Sequence, residues 1–128
     1  MSSNRKGFTI VELLVVVLVL GVLVAIALPK YSGTRDKAKI AAIKTDLRNA
    51  ETAEETYYAD YVAYGDLAQL QAEGLITLSP SVTMEITAGP DGYKASAKNT
   101  TIESSTKSCT VRVGAGATLD EDGVITCP

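Results

Sequence analysis

A continuous apolar stretch near the N-terminus is the strongest pattern in the chain. Residues 8–28 are almost wholly apolar, with one charged residue among them, Glu12. A transmembrane helix needs roughly 20 such residues, so the stretch is long enough to cross a bilayer. Arg5 and Lys6 come directly before it. Because basic residues favour the cytoplasmic side, we predict a cytoplasmic N-terminus and an exported C-terminal part.

A secretory signal peptide is the alternative interpretation of this segment. Its last residues, 25–27, are Ala-Ile-Ala and resemble a small-residue cleavage site. The apolar stretch is nevertheless long for a signal peptide, and Glu12 lies near its start. A charge inside a membrane helix costs roughly 2.5–3.5 kcal/mol on insertion scales, so Glu12 needs either a partner or a position shallow enough to reach the headgroups.

A helical pattern continues from Lys30 to about Tyr64. Its apolar positions recur at spacings of three, four or seven and are Ile40, Ile43, Leu47, Ala50 and Tyr57. The predicted opposite face is charged and comprises Arg35, Asp36, Lys37, Lys39, Lys44, Asp46, Arg48, Glu51, Glu54 and Glu55. We therefore predict an amphipathic helix that continues the membrane helix.

Two residues weaken this long helix. Pro29 removes a backbone hydrogen bond and Gly21 has poor helix propensity. Pro29 is either a helix end or a kink, and the pattern that resumes at once favours the kink.

The C-terminal half shows a short helix followed by strands. Residues 66–74 read as a helix with Asp66 as its cap and Gly74 as its stop. Alternation around Val82–Ile86, Tyr93–Ala97 and Thr110–Val113 predicts three strands, with a turn at residues 89–92. Residues 124–126 suggest a fourth, short strand. The predicted fold class is α+β, a long helix packed on a small antiparallel sheet.

The charge balance and the absence of histidine narrow the possible functions. The chain has 12 basic and 15 acidic residues, a net charge of −3, and no His. An acidic chain argues against a dedicated nucleic-acid binder, and the commonest general base is missing. We find no nucleophile–base motif, phosphate loop or metal-ligand spacing and expect neither enzymatic activity nor a cofactor. A single-span membrane enzyme or receptor is therefore the least favoured class.

The two cysteines, Cys109 and Cys127, both lie in the polar C-terminal part. Two thiols in a small exported domain most often form a disulfide, and two free thiols are the alternative. A bond closing these 18 residues (127 minus 109) would contribute about 3 kcal/mol in the chain-entropy model.

Three weaker signals have ordinary explanations. The acidic residues 120–122 would suit calcium, but a solvated turn is the preferred reading because the full ligand pattern is missing. Residues 99–101 match a glycosylation sequon, a pattern that often arises by chance. Four tyrosines near the end of the long helical pattern are expected to pack between helix and sheet rather than to conduct electrons, namely Tyr57, Tyr58, Tyr61 and Tyr64. The other two, Tyr31 and Tyr93, are expected to be isolated.

The N-terminal string resembles the signal sequence of type IV pilins and pseudopilins. The resemblance rests on residues 6–16, Lys-Gly-Phe-Thr-Ile-Val-Glu-Leu-Leu-Val-Val, and the family pattern extends over residues 5 to about 31. It implies cleavage between Gly7 and Phe8 by a prepilin peptidase, followed by N-methylation of Phe8. Glu12 would then match the glutamate that neutralises the N-terminal amine of a neighbouring subunit. The resemblance also implies that the helix loosens between Gly21 and Pro29, and that a disulfide between Cys109 and Cys127 bounds a variable surface region.

The expected organisation follows from this resemblance. Residues 1–7 would be the leader, 8–29 the membrane and filament-core helix, and 30–128 the globular head. The expected product is an extracellular pilus, a helical homopolymer. A pilus assembly machinery would build it from subunits that are stored in the cytoplasmic membrane. A pseudopilin of a type II secretion or DNA-uptake system is the alternative. Adhesion, twitching motility, DNA uptake and conduction all remain open as tasks of the filament.

Overall fold

A computed structural model describes residues 6–102, 108–115 and 121–128, except for the side chains of Pro29, Lys30 and Ser32. The chain divides into two compact units, the first ending at Arg35 and the second covering Asp36–Pro128. The elements in chain order are α1 (Ile10–Tyr61), α2 (Leu67–Ala72), β1 (Val82–Ala88), β2 (Gly92–Asn99) and β3 (Ser108–Gly114).

The first unit contains the apolar part of α1, Ile10 to Leu28. The helix continues through Gly21 and Pro29, so the interpretation of Pro29 as a helix end is wrong. Part of α1 is long and apolar enough to cross a membrane, judged by length and composition. Every large apolar side chain from Ile10 to Leu28 is more than half exposed, so this part of the helix has no cover within the described residues.

The second unit contains a three-stranded antiparallel sheet in the order β1-β2-β3. The turn at residues 89–92 joins β1 to β2, as the sequence predicts. Gly92 faces Gly114 across β2 and β3, and a Cβ on Gly92 would clash with the Val113 carbonyl oxygen. Only glycine therefore allows the backbones to approach this closely at the end of the sheet.

The core lies between the second part of α1 and the sheet. Ile43, Leu47, Ala50 and Tyr57 are buried, which confirms the predicted apolar stripe, and Ala53 extends it. The strands contribute their alternate inward residues to the same cluster, which are Val82, Met84, Ile86, Tyr93, Ala95, Ala97, Cys109 and Val111. The α+β arrangement of a long helix on a small antiparallel sheet is therefore confirmed.

The short second helix also follows the prediction. Asp66 caps α2 by accepting a hydrogen bond from the Gln69 backbone at 2.8 Å, and the Gln69 side chain accepts one from the Asp66 backbone at 2.8 Å. This reciprocal capping box satisfies backbone donors that the first turn leaves free. Gly74, just after the helix, has a φ of +69°, which favours glycine.

Two acidic residues of the predicted charged face of α1 are buried. Asp46 is buried and accepts hydrogen bonds from the Ser79 backbone and hydroxyl, each at 2.8 Å. Glu54 is fully buried and accepts one from the Gly65 backbone at 2.9 Å. Both carboxylates pair with loop N–H groups that are buried at Gly65 and partly buried at Ser79, and apolar periodicity cannot reveal such a role.

The predicted fourth strand is also wrong. Within the described C-terminal segment, Thr126 forms an isolated β-bridge with Thr110, and Asp122 forms another with Arg112. The segment therefore contacts β3 through these isolated bridges and does not form a ladder with it.

The buried carboxylate of Glu54 should make stability depend on pH. Burial raises the pKa of Glu54 above its usual 4.5, Asp66 adds to the rise, and the Gly65 N–H opposes it. The folded state therefore binds the proton more tightly than the unfolded state. Protonation of Glu54 therefore stabilises the folded state. This stabilisation is complete below pH 4.5 and is lost as pH rises through the pKa of Glu54 in the folded state.

We expect Glu54→Gln to gain stability relative to the wild type as pH rises. The glutamine retains an acceptor for Gly65 but cannot ionise, so it lacks the loss at higher pH. Thermal midpoints of the detergent-solubilised chain, measured between about pH 4 and pH 8, should show this difference growing. Glu55→Gln, the exposed neighbour, is the matched control and should show no such trend. A difference in thermal midpoint between Glu54→Gln and the wild type that stays constant or shrinks as pH rises would contradict the raised pKa of Glu54.

Candidate assembly site

The N-terminus of α1 forms a capping box that the sequence analysis missed. Thr9 precedes the first helical residue, and its hydroxyl accepts a hydrogen bond from the Glu12 backbone at 3.2 Å. The Glu12 carboxylate in turn accepts one from the Thr9 backbone at 3.4 Å. The signal was present in the sequence, because Thr-x-x-Glu before an apolar run is the pattern of such a cap.

This geometry changes the interpretation of Glu12. Its carboxylate lies in the first turn of α1, where the free N–H groups and the helix dipole favour a negative charge. Glu12 thus has a partner within its own subunit besides any partner it finds elsewhere. The carboxylate is exposed, so it stays accessible to a cation from another molecule.

Gly7 and Phe8 lie outside the helix and are exposed. Phe8 is 87% exposed, and a Cβ placed on Gly7 would meet no atom within 4 Å. Packing within the subunit therefore does not require glycine at position 7. The bond between the two residues is therefore exposed, and Phe8 lies four residues before Glu12 in the chain.

Gly21 and Pro29 are part of a continuous helix in this structure. A Cβ on Gly21 would also meet no atom within 4 Å, so no neighbour within the described residues explains the glycine by close packing. The side chain of Pro29 lies outside the described residues. A loosening of the helix between these positions stays a prediction.

The disulfide between Cys109 and Cys127 is present, with an S–S distance of 2.02 Å. It attaches the C-terminal segment to β3, and backbone hydrogen bonds reinforce the attachment. Thr110 and Thr126 exchange two such bonds at 2.8 and 2.9 Å, and the Gly123 N–H donates to the Arg112 carbonyl at 2.8 Å. The predicted pairing of Cys109 with Cys127 is thus present in the structure.

The acidic cluster near the C-terminus has structural partners. Asp120 lies outside the described residues. Asp122 accepts a hydrogen bond from the Gly114 backbone at 2.9 Å, and Glu121 lies 3.9 Å from Arg112. Within the described ranges, no group of three potential ligands from His, Cys, Asp and Glu comes together around a metal position.

The sequon asparagine is largely buried. Asn99 is only 4% exposed, and its side-chain oxygen accepts bonds from the Thr101 backbone at 2.9 Å and hydroxyl at 2.7 Å. Its arrangement is that of a turn-stabilising residue.

The tyrosines form a larger group than the sequence suggested. Ring centroids are 4.4 Å apart for Tyr57 and Tyr61, 4.8 Å for Tyr58 and Tyr64, and 5.1 Å for Tyr64 and Tyr93. The expectation that Tyr93 is isolated is therefore wrong, because β2 brings it to α1 from a distant part of the chain. Of the four tyrosines predicted to pack, Tyr57 is buried and Tyr64 is partly buried against the core, whereas Tyr58 and Tyr61 are exposed. Burial raises the pKa of Tyr93.

Known proteins are similar to this chain both in the N-terminal motif and over much of its length. Residues 2–28 match the family model described as the prokaryotic N-terminal methylation motif. The type IV narrow pilus major component of Thermus thermophilus is 34% identical over 114 residues, which cover 89% of this chain and 83% of the relative.

Two further relatives match over less of their own length. The type II secretion system core protein G of Klebsiella michiganensis is 37% identical over 93 residues, 71% of this chain and 63% of the relative. The type IV major pilin of Myxococcus xanthus is 35% identical over 67 residues, 52% of this chain but only 30% of the relative.

The Thermus relative matches across both the apolar segment and the head, so the similarity is not confined to the methylation motif. The relatives are named as pilus and secretion-system components. Together with the long helix packed on a three-stranded sheet, these matches show that the chain belongs to the type IV pilin family.

Proposed function

We propose that this protein is a structural subunit that polymerises into an extracellular type IV pilus. The observation that carries the proposal is the uncovered apolar part of α1, where each large apolar side chain from Ile10 to Leu28 is more than half exposed. Such a surface is unstable in water and has to be covered by lipid or by other apolar helices. Helix packing between copies provides that cover outside the membrane.

Maturation removes the leader, residues 1–7, on the cytoplasmic side. A prepilin peptidase cleaves between Gly7 and Phe8, and the new N-terminus of Phe8 is methylated. The match to the methylation motif supports this step, as does the exposure of Gly7 and Phe8 ahead of α1. Cleavage creates a cation at Phe8, one residue before Thr9 and four residues before Glu12 of the capping box.

Glu12 provides the anion for this new cation. In the filament core, the carboxylate of Glu12 pairs with the Phe8 amine of a neighbouring copy. An unpaired charge is costly in an apolar environment, so a subunit in the wrong register is rejected. The charge pair therefore sets the axial position of each incoming helix.

Before assembly the subunits are held in the cytoplasmic membrane by the same helix. The partners at this stage are the lipid bilayer, the peptidase and the pilus assembly machinery. Residues 21–29 give the helix a weak region between Gly21 and Pro29, where it loosens as subunits pack into the filament.

Replacement of Glu12 should separate insertion from assembly. Glu12→Ala should leave membrane insertion and leader cleavage intact and reduce filament yield sharply, because the Phe8 amine loses its anion. Glu12→Gln is the matched control for the capping box, since glutamine also serves at this position of the box but has no charge. Filaments sheared from cells and quantified by immunoblotting measure the effect.

The two variants distinguish the two roles of Glu12. Loss of filaments in both variants supports charge pairing. Normal filaments in Glu12→Gln together with loss in Glu12→Ala would assign the effect to the capping box, and normal filaments in both would overturn the pairing.

Mass spectrometry of sheared filaments tests the maturation step. We expect a mature chain that begins at Phe8 and carries a methyl group on its amine. Gly7→Val should leave an unprocessed precursor in the membrane, because the peptidase site is occupied by a branched side chain. Assembled filaments that retain Met1 would exclude processing at Gly7.

The alternative function is that of a pseudopilin in a secretion or DNA-uptake system. It is favoured by the match to the type II secretion core protein G, which extends over 71% of this chain. Immunogold labelling of intact cells at native expression discriminates the two functions. Long surface filaments are expected for a pilin, whereas short fibres confined to the envelope would establish the pseudopilin.

A further inference from the structure

The C-terminal end of α1 carries an apolar residue that is both strained and exposed. Val62 has a φ of +54°, and its N–H donates to the Tyr58 carbonyl at 2.8 Å. A β-branched residue is rarely found in this left-handed region, where glycine is the favoured helix cap. The Val62 side chain is 74% exposed, so packing within the subunit does not offset the strain.

Two tyrosines extend this apolar surface. Tyr58 is 40% exposed and Tyr61 is 52% exposed, although both belong to the aromatic group at the end of α1. The Tyr61 hydroxyl donates to the Glu73 carboxylate at 3.0 Å, which places Glu73 beside the tyrosine. Asp60 is exposed on the same turn. We refer to Tyr58, Asp60, Tyr61, Val62 and Glu73 as the acidic patch.

Charge along the head is strongly segregated. Residues 49–93 contain eight acidic residues and no Lys or Arg, whereas residues 94–115 contain four basic residues and one acidic residue. Asp60 and Glu73 therefore have no cation near them in sequence. Within the described part of the chain, neither takes part in an ion pair.

The outer face of the sheet carries the opposite charge. Lys94 and Arg112 lie directly opposite each other on β2 and β3, and Lys98 lies on the same exposed face. Like charges in directly opposite positions destabilise a sheet, so this pair is unfavourable within the isolated subunit. We refer to Lys94, Lys98 and Arg112 as the basic face.

Acidic neighbours of the basic face neutralise it only in part. Glu121 lies 3.9 Å from Arg112, and both side chains are about half exposed, so their pairing is weak. Glu85 lies at an exposed position of β1 on this outer face, opposite Ser96 of β2 in the register. The basic face therefore retains cations available to an external partner.

We infer that the acidic patch of one copy docks on the basic face of a second copy. The inference rests on the proposed filament, since it names a contact between heads of neighbouring subunits. The contact joins two different surfaces of the chain, and such heterologous contacts generate open-ended polymers. The strained Val62 and exposed Tyr61 supply apolar contact area, and the complementary charges set the orientation.

Charge reversal on either surface tests the contact. We expect Lys94→Glu with Lys98→Glu, and separately Asp60→Lys with Glu73→Lys, to lower the yield of sheared filaments by about tenfold or more, since like charges then face each other. All four substitutions together should restore most of the yield. Lys37→Glu with Lys44→Glu is the control for net charge, because both lysines are exposed on α1 outside the basic face.

Replacement of Val62 gives a readout that a purely structural role would not produce. Val62→Gly relieves the unfavourable φ, so the thermal midpoint of the detergent-solubilised subunit should rise. Filaments of the same variant should dissociate at lower detergent concentration, because the docking side chain is gone. Filaments as resistant as the wild type would remove Val62 from the contact.

The outcomes separate this inference from the proposed function. Normal filament yield in both reversal variants, or an equal loss in the Lys37/Lys44 control, would overturn the docking contact and leave the pilus proposal standing. Absence of filaments in the wild type would instead overturn the pilus proposal. If the Lys94/Lys98 variant keeps normal filaments but loses binding to a short double-stranded DNA, the basic face serves a polyanion and the docking contact is refuted.

Discussion

The constraint on which the rest of the molecule depends is the uncovered apolar surface of α1. Between Ile10 and Leu28 the apolar side chains surround the helix rather than forming one stripe. A helix that is apolar all round is stable only inside lipid or among other apolar helices. The second part of α1 differs, because the stripe from Ile43 to Tyr57 is buried by the sheet of its own head. One helix thus meets two environments, and its pattern changes accordingly.

Hydrophobicity alone does not drive the step from membrane to filament. Lipid tails are as apolar as leucine, so exchanging lipid contacts for helix contacts yields little from the hydrophobic effect. Direction and register have to come from polar groups and from the heads. In the proposed filament, the pairing of Glu12 with the Phe8 amine sets the register, and the charged surfaces around Val62 and Lys94 set the orientation of the heads. The apolar helix provides cover, and the few charged residues provide specificity.

The sequence predicted the features that depend on periodicity and local chemistry. The stripe of α1, the cap of α2, the three strands and the cysteine pair were all correctly placed, because each leaves a short-range pattern in the chain. Features that depend on tertiary contacts were missed. Asp46 and Glu54 look like surface residues in a helical pattern, but loops that come later in the chain bring Ser79 and Gly65 to them. Tyr93 joins the aromatic group for the same reason, through the pairing of distant elements.

The Thr9–Glu12 capping box is a different kind of omission. Its Thr-x-x-Glu pattern is local and predicts the cap, whereas the apolar sequence around it indicates only the cost of the Glu12 charge. The box shows how that cost is moderated before assembly: the carboxylate lies at the positive end of α1 and accepts an N–H from Thr9. An anion held in this way is already oriented when a second cation arrives, so little side-chain entropy is lost on pairing. The same residue can therefore be tolerated in the stored subunit and be selective in the proposed filament, because its local partner is weak and its intermolecular partner carries a full charge.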